Sequence, residues 1–168
     1  ELDAEGGYLL SYYGDEKKSL GLFAHADVVP VANDWTLTTP FEPIEKDGFL
    51  IGRGAMDDKS AVVTSLYCAK IIKELGIPFN SRLICFTGAN EESGMQDIKN
   101  YISAHTPPDF SLVCDTAFPL YRGNKGILHF VATQEAPMHD ITDFSGGSAF
   151  NIILGEKKKK IGEQVFEE

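Results

Sequence analysis

The chain has 168 residues, 43% of them apolar and 24% charged, with a formal charge of −10, the profile of one soluble globular domain with a real core. That charge speaks against nucleic acid or an anionic membrane as a partner, and no apolar run approaches the roughly 20 residues that cross a bilayer. The opening Glu1-Leu2-Asp3-Ala4-Glu5 lacks the basic region and apolar stretch of a signal peptide, and no initiator Met precedes it.

In chain order, strands are predicted at Tyr8 to Tyr13 and Leu20 to Ala26, joined by a turn around Gly14-Asp15. Pro30 to Pro43 holds three prolines and the single Trp35, so it reads as a surface loop. Phe49-Leu50-Ile51 is a short strand running into Gly52-Arg53-Gly54. Val62, Leu66, Ala69 and Val63, Tyr67, Ile71 recur at helical spacing from Asp58 to Leu75, with Gly76 as the stop and Pro78 beyond it. Arg82 to Thr87 is an apolar strand, and Met95 to Ala104 a second helix ended by Pro107-Pro108. Further strands are predicted at Phe110 to Cys114 and Ile127 to Thr133, and one more apolar run follows at Phe150 to Leu154. The run Lys157 to Lys160 reads as a solvated turn or strand end, with a basic interaction patch as the alternative.

Strand, helix, strand, helix, strand between residues 49 and 114 predicts an α/β fold. The expected form is a three-layer sandwich, with a mainly parallel mixed sheet and helices on both faces. Ligands of such sheets bind beyond the carboxyl ends of the strands. The three cysteines, Cys68, Cys85 and Cys114, are expected to be reduced, buried thiols, which fits the cytoplasm. With no Cys-x-x-Cys spacing, a zinc-thiolate site is not expected.

Acidic residues gather at those strand ends. His25 and Asp27 leave a strand on one face, so the imidazole can take a metal while Asp27 accepts from its other N–H. Asp57 can bridge two cations or simply cap the following helix. Glu91 and Glu92 are adjacent in a loop. If that loop is extended they point apart, one toward a metal and the other toward a water whose proton it takes; alternatively, they favour a helix start. Asp115 ends a strand, where Asp is commonly a turn residue. His105, His129 and His139 lack such companions and read as packing or surface residues. Taken together, Asp57, Glu92 and Asp115 with one hydroxide would balance two Zn²⁺ ions, leaving Glu91 as base. Without metal, mutual repulsion would keep several of these acids protonated.

The segments LFAHADVVP, GFLIGRGAMDDK, FTGANEESG and LVCDTAFP resemble four successive blocks of the dinuclear zinc amidohydrolases. That family includes PepV-type and carnosinase-type dipeptidases, carboxypeptidase G2 and the acetylornithine deacetylases. The resemblance implies that His25 binds one zinc and Asp27 orients it. Asp57 bridges both ions, followed by a cis peptide to Asp58. Glu91 is the general base, Glu92 a ligand of the second zinc and Asp115 a ligand of the first. Mn²⁺ or Co²⁺ suit the same ligands. Asp rather than Glu at position 115, the Asp-Asp-Lys block and the Trp35 loop point to a dipeptidase acting on dipeptides or small peptides. An N-acyl amino acid deacylase and a non-catalytic metal-binding module are the alternatives. Ser60 departs from the family's usual glycine.

Family members also carry an inserted lid and a later catalytic part that supplies a His to the second zinc. The chain is therefore expected to be truncated. Residues 1–133 would form the N-terminal part of the catalytic domain and 134–168 the start of the lid region, a fragment inactive alone.

Overall fold

The computed structural model describes residues 1–31, 35–126 and 128, and the backbone of three strands within 141–167. Two compact units result, Glu1–Phe118 and Pro119–Glu168. The first contains β1 (Leu2–Asp3), β2 (Tyr8–Tyr13), β3 (Ser19–His25), β4 (Ile44–Lys46), β5 (Phe49–Ile51), α1 (Lys59–Glu74), β6 (Arg82–Gly88), α2 (Gln96–Ala104) and β7 (Phe110–Val113). The second holds β8 (Ile141–Gly146), β9 (Lys157–Ile161) and β10 (Gln164–Glu167).

Five strands of the first unit form one mixed sheet in the order β1-β2-β6-β3-β7. β3 runs parallel to both β6 and β7, while β2 lies antiparallel to β6. Although only residues 14–18 join β2 to β3, the two strands do not pair, because β6 lies between them. The link crosses two strand spacings, roughly 10 Å. Gly14 turns it in the left-handed region at φ +81°, and Arg82 N–H donates to Lys18 O at 2.7 Å.

Alternation along β6 divides the core between two faces. Leu83 and Cys85 join Leu22 on one face, packed by Ala69 and Ile72 of α1. Ile84 and Phe86 join Tyr8, Leu10 and Phe23 on the other, against Tyr101 and Ile98 of α2. Phe86 lies 5.1 Å from Phe23 and 5.2 Å from Tyr101, ring centre to ring centre. The α/β fold is thus a mixed sheet with one helix on each face. Crossovers that leave β3 and β6 in opposite directions along the sheet require this if both are right-handed.

α1 presents small residues to the sheet: Ala61 and Ser65 are buried, while Val63, Leu66, Tyr67 and Ile71 of the apolar pattern face outward. Cys68 shares that outer surface, so the expectation of three buried thiols fails there; all three cysteines are free. The helix ends as a Schellman motif, with Gly76 N–H donating to Lys73 O and Ile77 N–H to Ile72 O. Met95 takes a left-handed conformation at φ 57°, so α2 starts one residue later than expected.

β4 was not foreseen from its sequence. Asp47 and Gly48, at φ 54° and 79°, make the tight turn that pairs it with β5. In the second unit, Lys157 to Lys160 do not form a turn; they lie in the middle strand of an antiparallel sheet ordered β10-β9-β8. The strand expected over 127–133, Leu128 apart, and the apolar run over 150–154, with His129 and His139, lie outside the described residues. His105 packs: it stacks on Tyr101 and its Nε2 lies 3.1 Å from Tyr8 Oη. No helix among the described residues is long and apolar enough to cross a membrane.

Candidate metal centre

The central parallel strand β3 ends at His25, opposite Gly88 of β6. On its other edge Phe23 pairs with Val113, and Cys114 N–H continues the ladder to Phe23 O at 2.9 Å. Two residues further, that register carries Asp115 alongside His25. The loop after β3 leads to α1 on one face and the loop after β6 to α2 on the other. Between the ends of β3 and β6 lies the switch point at which open α/β sheets bind ligands.

His25 is 3% exposed, and both ring nitrogens face carboxylates. Nδ1 lies 3.1 Å from Asp27 O and 3.3 Å from Asp27 Oδ1. Nε2 lies 3.2 Å from Asp57 Oδ1 and 3.7 Å from Asp115 Oδ2. Nδ1 can donate its proton to Asp27, which turns the Nε2 lone pair toward two acidic side chains. Nε2 is buried and makes no hydrogen bond among the described residues. A cation resolves this conflict, and the separations suit ligand atoms sharing one ion at bonds near 2 Å. Ligand atoms of His25, Asp57 and Asp115 all lie within 4.8 Å of one another, as do those of His25, Glu91 and Glu92.

Glu91 and Glu92 lie in a turn after β6, not in an extended segment. Their carboxylates therefore do not diverge as an extended loop would require; both reach the neighbourhood of His25. Asp27 holds this turn, its Oδ1 accepting Glu91 N–H at 3.2 Å and its Oδ2 accepting Glu92 N–H at 3.1 Å. One carboxylate thus faces the imidazole and fixes the two following acids.

The Asp57–Asp58 peptide is cis, as the resemblance implies. Neither acid caps α1 through its side chain: the capping position is Asp58, which makes no side-chain cap bond. Asp58 turns inward instead. It is 2% exposed, and its Oδ2 accepts the backbone N–H of His25 at 3.2 Å. Gly54, at φ +80°, leaves room for Lys59, whose ammonium reaches back to Ala26 O at 2.6 Å. The end of β3 and the start of α1 are thereby joined twice.

The electrostatics are those of a site short of positive charge. Burial pushes Glu91 and Asp115 above the ordinary carboxylate range, reinforced by neighbouring acids and opposed by His25. Burial pushes Asp58 up to about 6, against the lowering effect of the His25 N–H. For His25, burial disfavours the charged ring, but Asp115, Asp27 and Glu91 outweigh it and raise the imidazole above its usual value. Bound cations reverse this logic.

Asp58 and the buried Asp97 are parts of this region that sequence reasoning missed. The Asp57-Asp58 dipeptide was the only signal for the first, and none marked the second. Asp58→Ala is expected to destabilise the chain by about 1–3 kcal/mol, because it leaves the buried His25 N–H without an acceptor. Asp58→Asn, which keeps an oxygen there, should lose much less; urea unfolding of both variants checks this.

Comparison with known proteins bears on the family and the fold. The family model for peptidase family M20/M25/M40 matches residues 21–153. A Staphylococcus epidermidis protein named "Putative dipeptidase" is 28% identical over 155 residues, covering 88% of this chain and 33% of its own length. A Staphylococcus aureus protein of the same description is 29% identical over 149 residues, covering 84% and 32%. The chain thus spans about a third of the length of these curated relatives. Human carnosine dipeptidase 1 shares the fold, with a TM-score of 0.57 and 23% identity over 66% of this chain and 25% of its own. The Saccharomyces cerevisiae di-peptidase Dug1p superposes with a TM-score of 0.50 and 26% identity, covering 58% and 21%. With more than half its residues matched, the chain belongs to peptidase family M20/M25/M40.

Proposed function

We propose that this chain forms the N-terminal part of the catalytic domain of a two-zinc dipeptidase, cytoplasmic like its free thiols suggest. The reading rests on one observation: the buried Nε2 of His25, without a hydrogen bond among the described residues, facing Asp57 and Asp115. His25, Asp57 and Asp115 would hold one ion. Asp57 and Glu92 would hold the other, together with groups outside the described residues, because the second nitrogen of His25 is committed to Asp27. Zinc there would supply Lewis acidity, polarising the scissile carbonyl and acidifying a water.

The remaining work falls to side chains of this chain. A Glu91 carboxylate oxygen takes the water proton and later passes it to the leaving amine. Asp27 keeps the His25 ring in one tautomer and holds the Glu91–Glu92 turn in place. The dipeptidase descriptions of relatives and the acid at position 115 favour dipeptides as substrates.

A protein of the relatives' full length, loaded with Zn²⁺, is expected to hydrolyse dipeptides faster than N-acetyl or N-succinyl amino acids. The reverse order in a substrate panel would replace this reading with a deacylase. Residues 1–168 alone should take up metal but give little or no turnover. Sustained dipeptide hydrolysis by this chain would show that it holds a complete site.

A further inference from the structure

Three consecutive backbone N–H groups lead into the metal centre, those of Asn90, Glu91 and Glu92. Asp27 accepts the last two. The first goes to a carboxylate from another element: Asn90 N–H donates to Asp97 Oδ2 at 2.9 Å. Asp97 stands in the first turn of α2, is 3% exposed, and accepts Ile98 N–H at 2.7 Å on its other oxygen. A buried carboxylate is costly unless it is hydrogen-bonded, and a helix's first turn offers both unpaired N–H groups and a favourable dipole.

The sheet leaves space for this carboxylate. A Cβ on Gly88 would fall against Asp97 Oδ2, well inside van der Waals contact. Gly88 is also the residue paired with His25. Asp97, His25, Glu91 and Asp115 line one cavity of about 190 Å³. Filling the space with an apolar side chain would avoid the desolvation cost but would leave Asn90 N–H without its acceptor.

We infer that Asp97 is a positioning residue that fixes the Asn90 peptide and so sets where the Glu91 and Glu92 side chains begin. This rests on the roles proposed above for those two acids. Asp97 touches neither substrate nor reacting atoms; it acts through the loop.

The test uses Asp97→Ala, Asp97→Asn and Asp97→Glu in this chain. Amide hydrogen exchange reports on the loop, and Co²⁺ titration, followed by visible absorption, reports on the site. In Asp97→Ala, exchange at Asn90, Glu91 and Glu92 should accelerate while Leu83 to Phe86 of β6 stay protected. Co²⁺ affinity should fall by about 10–100-fold, the usual effect of removing a partner that orients metal ligands. Asp97→Asn, whose amide oxygen accepts the same N–H, should recover most of both. Asp97→Glu keeps the charge but drives it toward Gly88. It should behave like the Ala variant, and it decides the matter if the Ala variant does not fold.

Wild-type exchange at Asn90 together with wild-type Co²⁺ affinity in the Ala or Glu variant would overturn the inference. So would exchange raised evenly across the sheet with no rescue by Asn. If the unaltered chain binds no Co²⁺, the metal reading fails by itself, and Asn90 exchange still decides the role of Asp97.

Discussion

Glu91→Gln in a protein of the relatives' full length is expected to lower kcat by about 10²–10⁴-fold, the contribution of a positioned general base. Metal content should not change. Gln is nearly isosteric with Glu, and the backbone N–H of Glu91, which anchors the turn to Asp27, is untouched. Only the capacity to take a proton is lost. Glu92→Gln is the informative contrast, since it removes the charge of the ligand proposed for the second ion and should cost metal as well as rate. Steady-state kinetics beside metal analysis of the purified variants separates the two. Activity within tenfold of wild type in Glu91→Gln would remove Glu91 from the base role, and metal loss would make it a ligand instead.

Removing Asp27 should produce the second large effect, on stability and metal affinity together. Its two oxygens accept Glu91 N–H and Glu92 N–H, and Oδ1 also faces His25 Nδ1. In Asp27→Ala the two part-buried amides lose their acceptors, at a cost of about 1–3 kcal/mol each. The side chain is 19% exposed, so water will recover part of this, and a total of about 2–4 kcal/mol is expected. The imidazole would keep only the Asp27 carbonyl at 3.1 Å, and metal affinity should fall by about 10–100-fold. Urea unfolding of the metal-free chain and a Zn²⁺ competition titration measure the two losses. An Ala variant with unchanged midpoint and unchanged affinity would show that the two loops hold their places without Asp27.

Much of the fold was legible because its signals are local. The apolar strands over 8–13 and 82–87, the turn around Gly14 and the Gly76 stop each express a preference of a few neighbouring residues. β4 was overlooked because two of its three residues, Glu45 and Lys46, are charged and the strand is held only by its partner β5. The apolar residues of α1 marked the helix but not its packed side. Helical spacing identifies a helix, but which side packs was decided by Ala61 and Ser65, small enough to let the helix approach the sheet.

The five acids Asp27, Asp57, Glu91, Glu92 and Asp115 and the histidine of the candidate site stood out in the sequence through their types and their positions at strand ends. That much follows from chemistry: carboxylates beside an imidazole at the mouth of a sheet call for a cation. The sequence could not say that β6 would slip between β2 and β3, or that the registers His25↔Gly88 and Phe23↔Val113 would bring three loops to one imidazole. Nor could it assign Asp58 and Asp97 as buried acceptors for the backbone N–H groups of His25 and Asn90. Local preference is set by neighbours along the chain, whereas strand order and buried hydrogen bonds are set by contacts between residues dozens of positions apart. Only the folded chain brings those residues together.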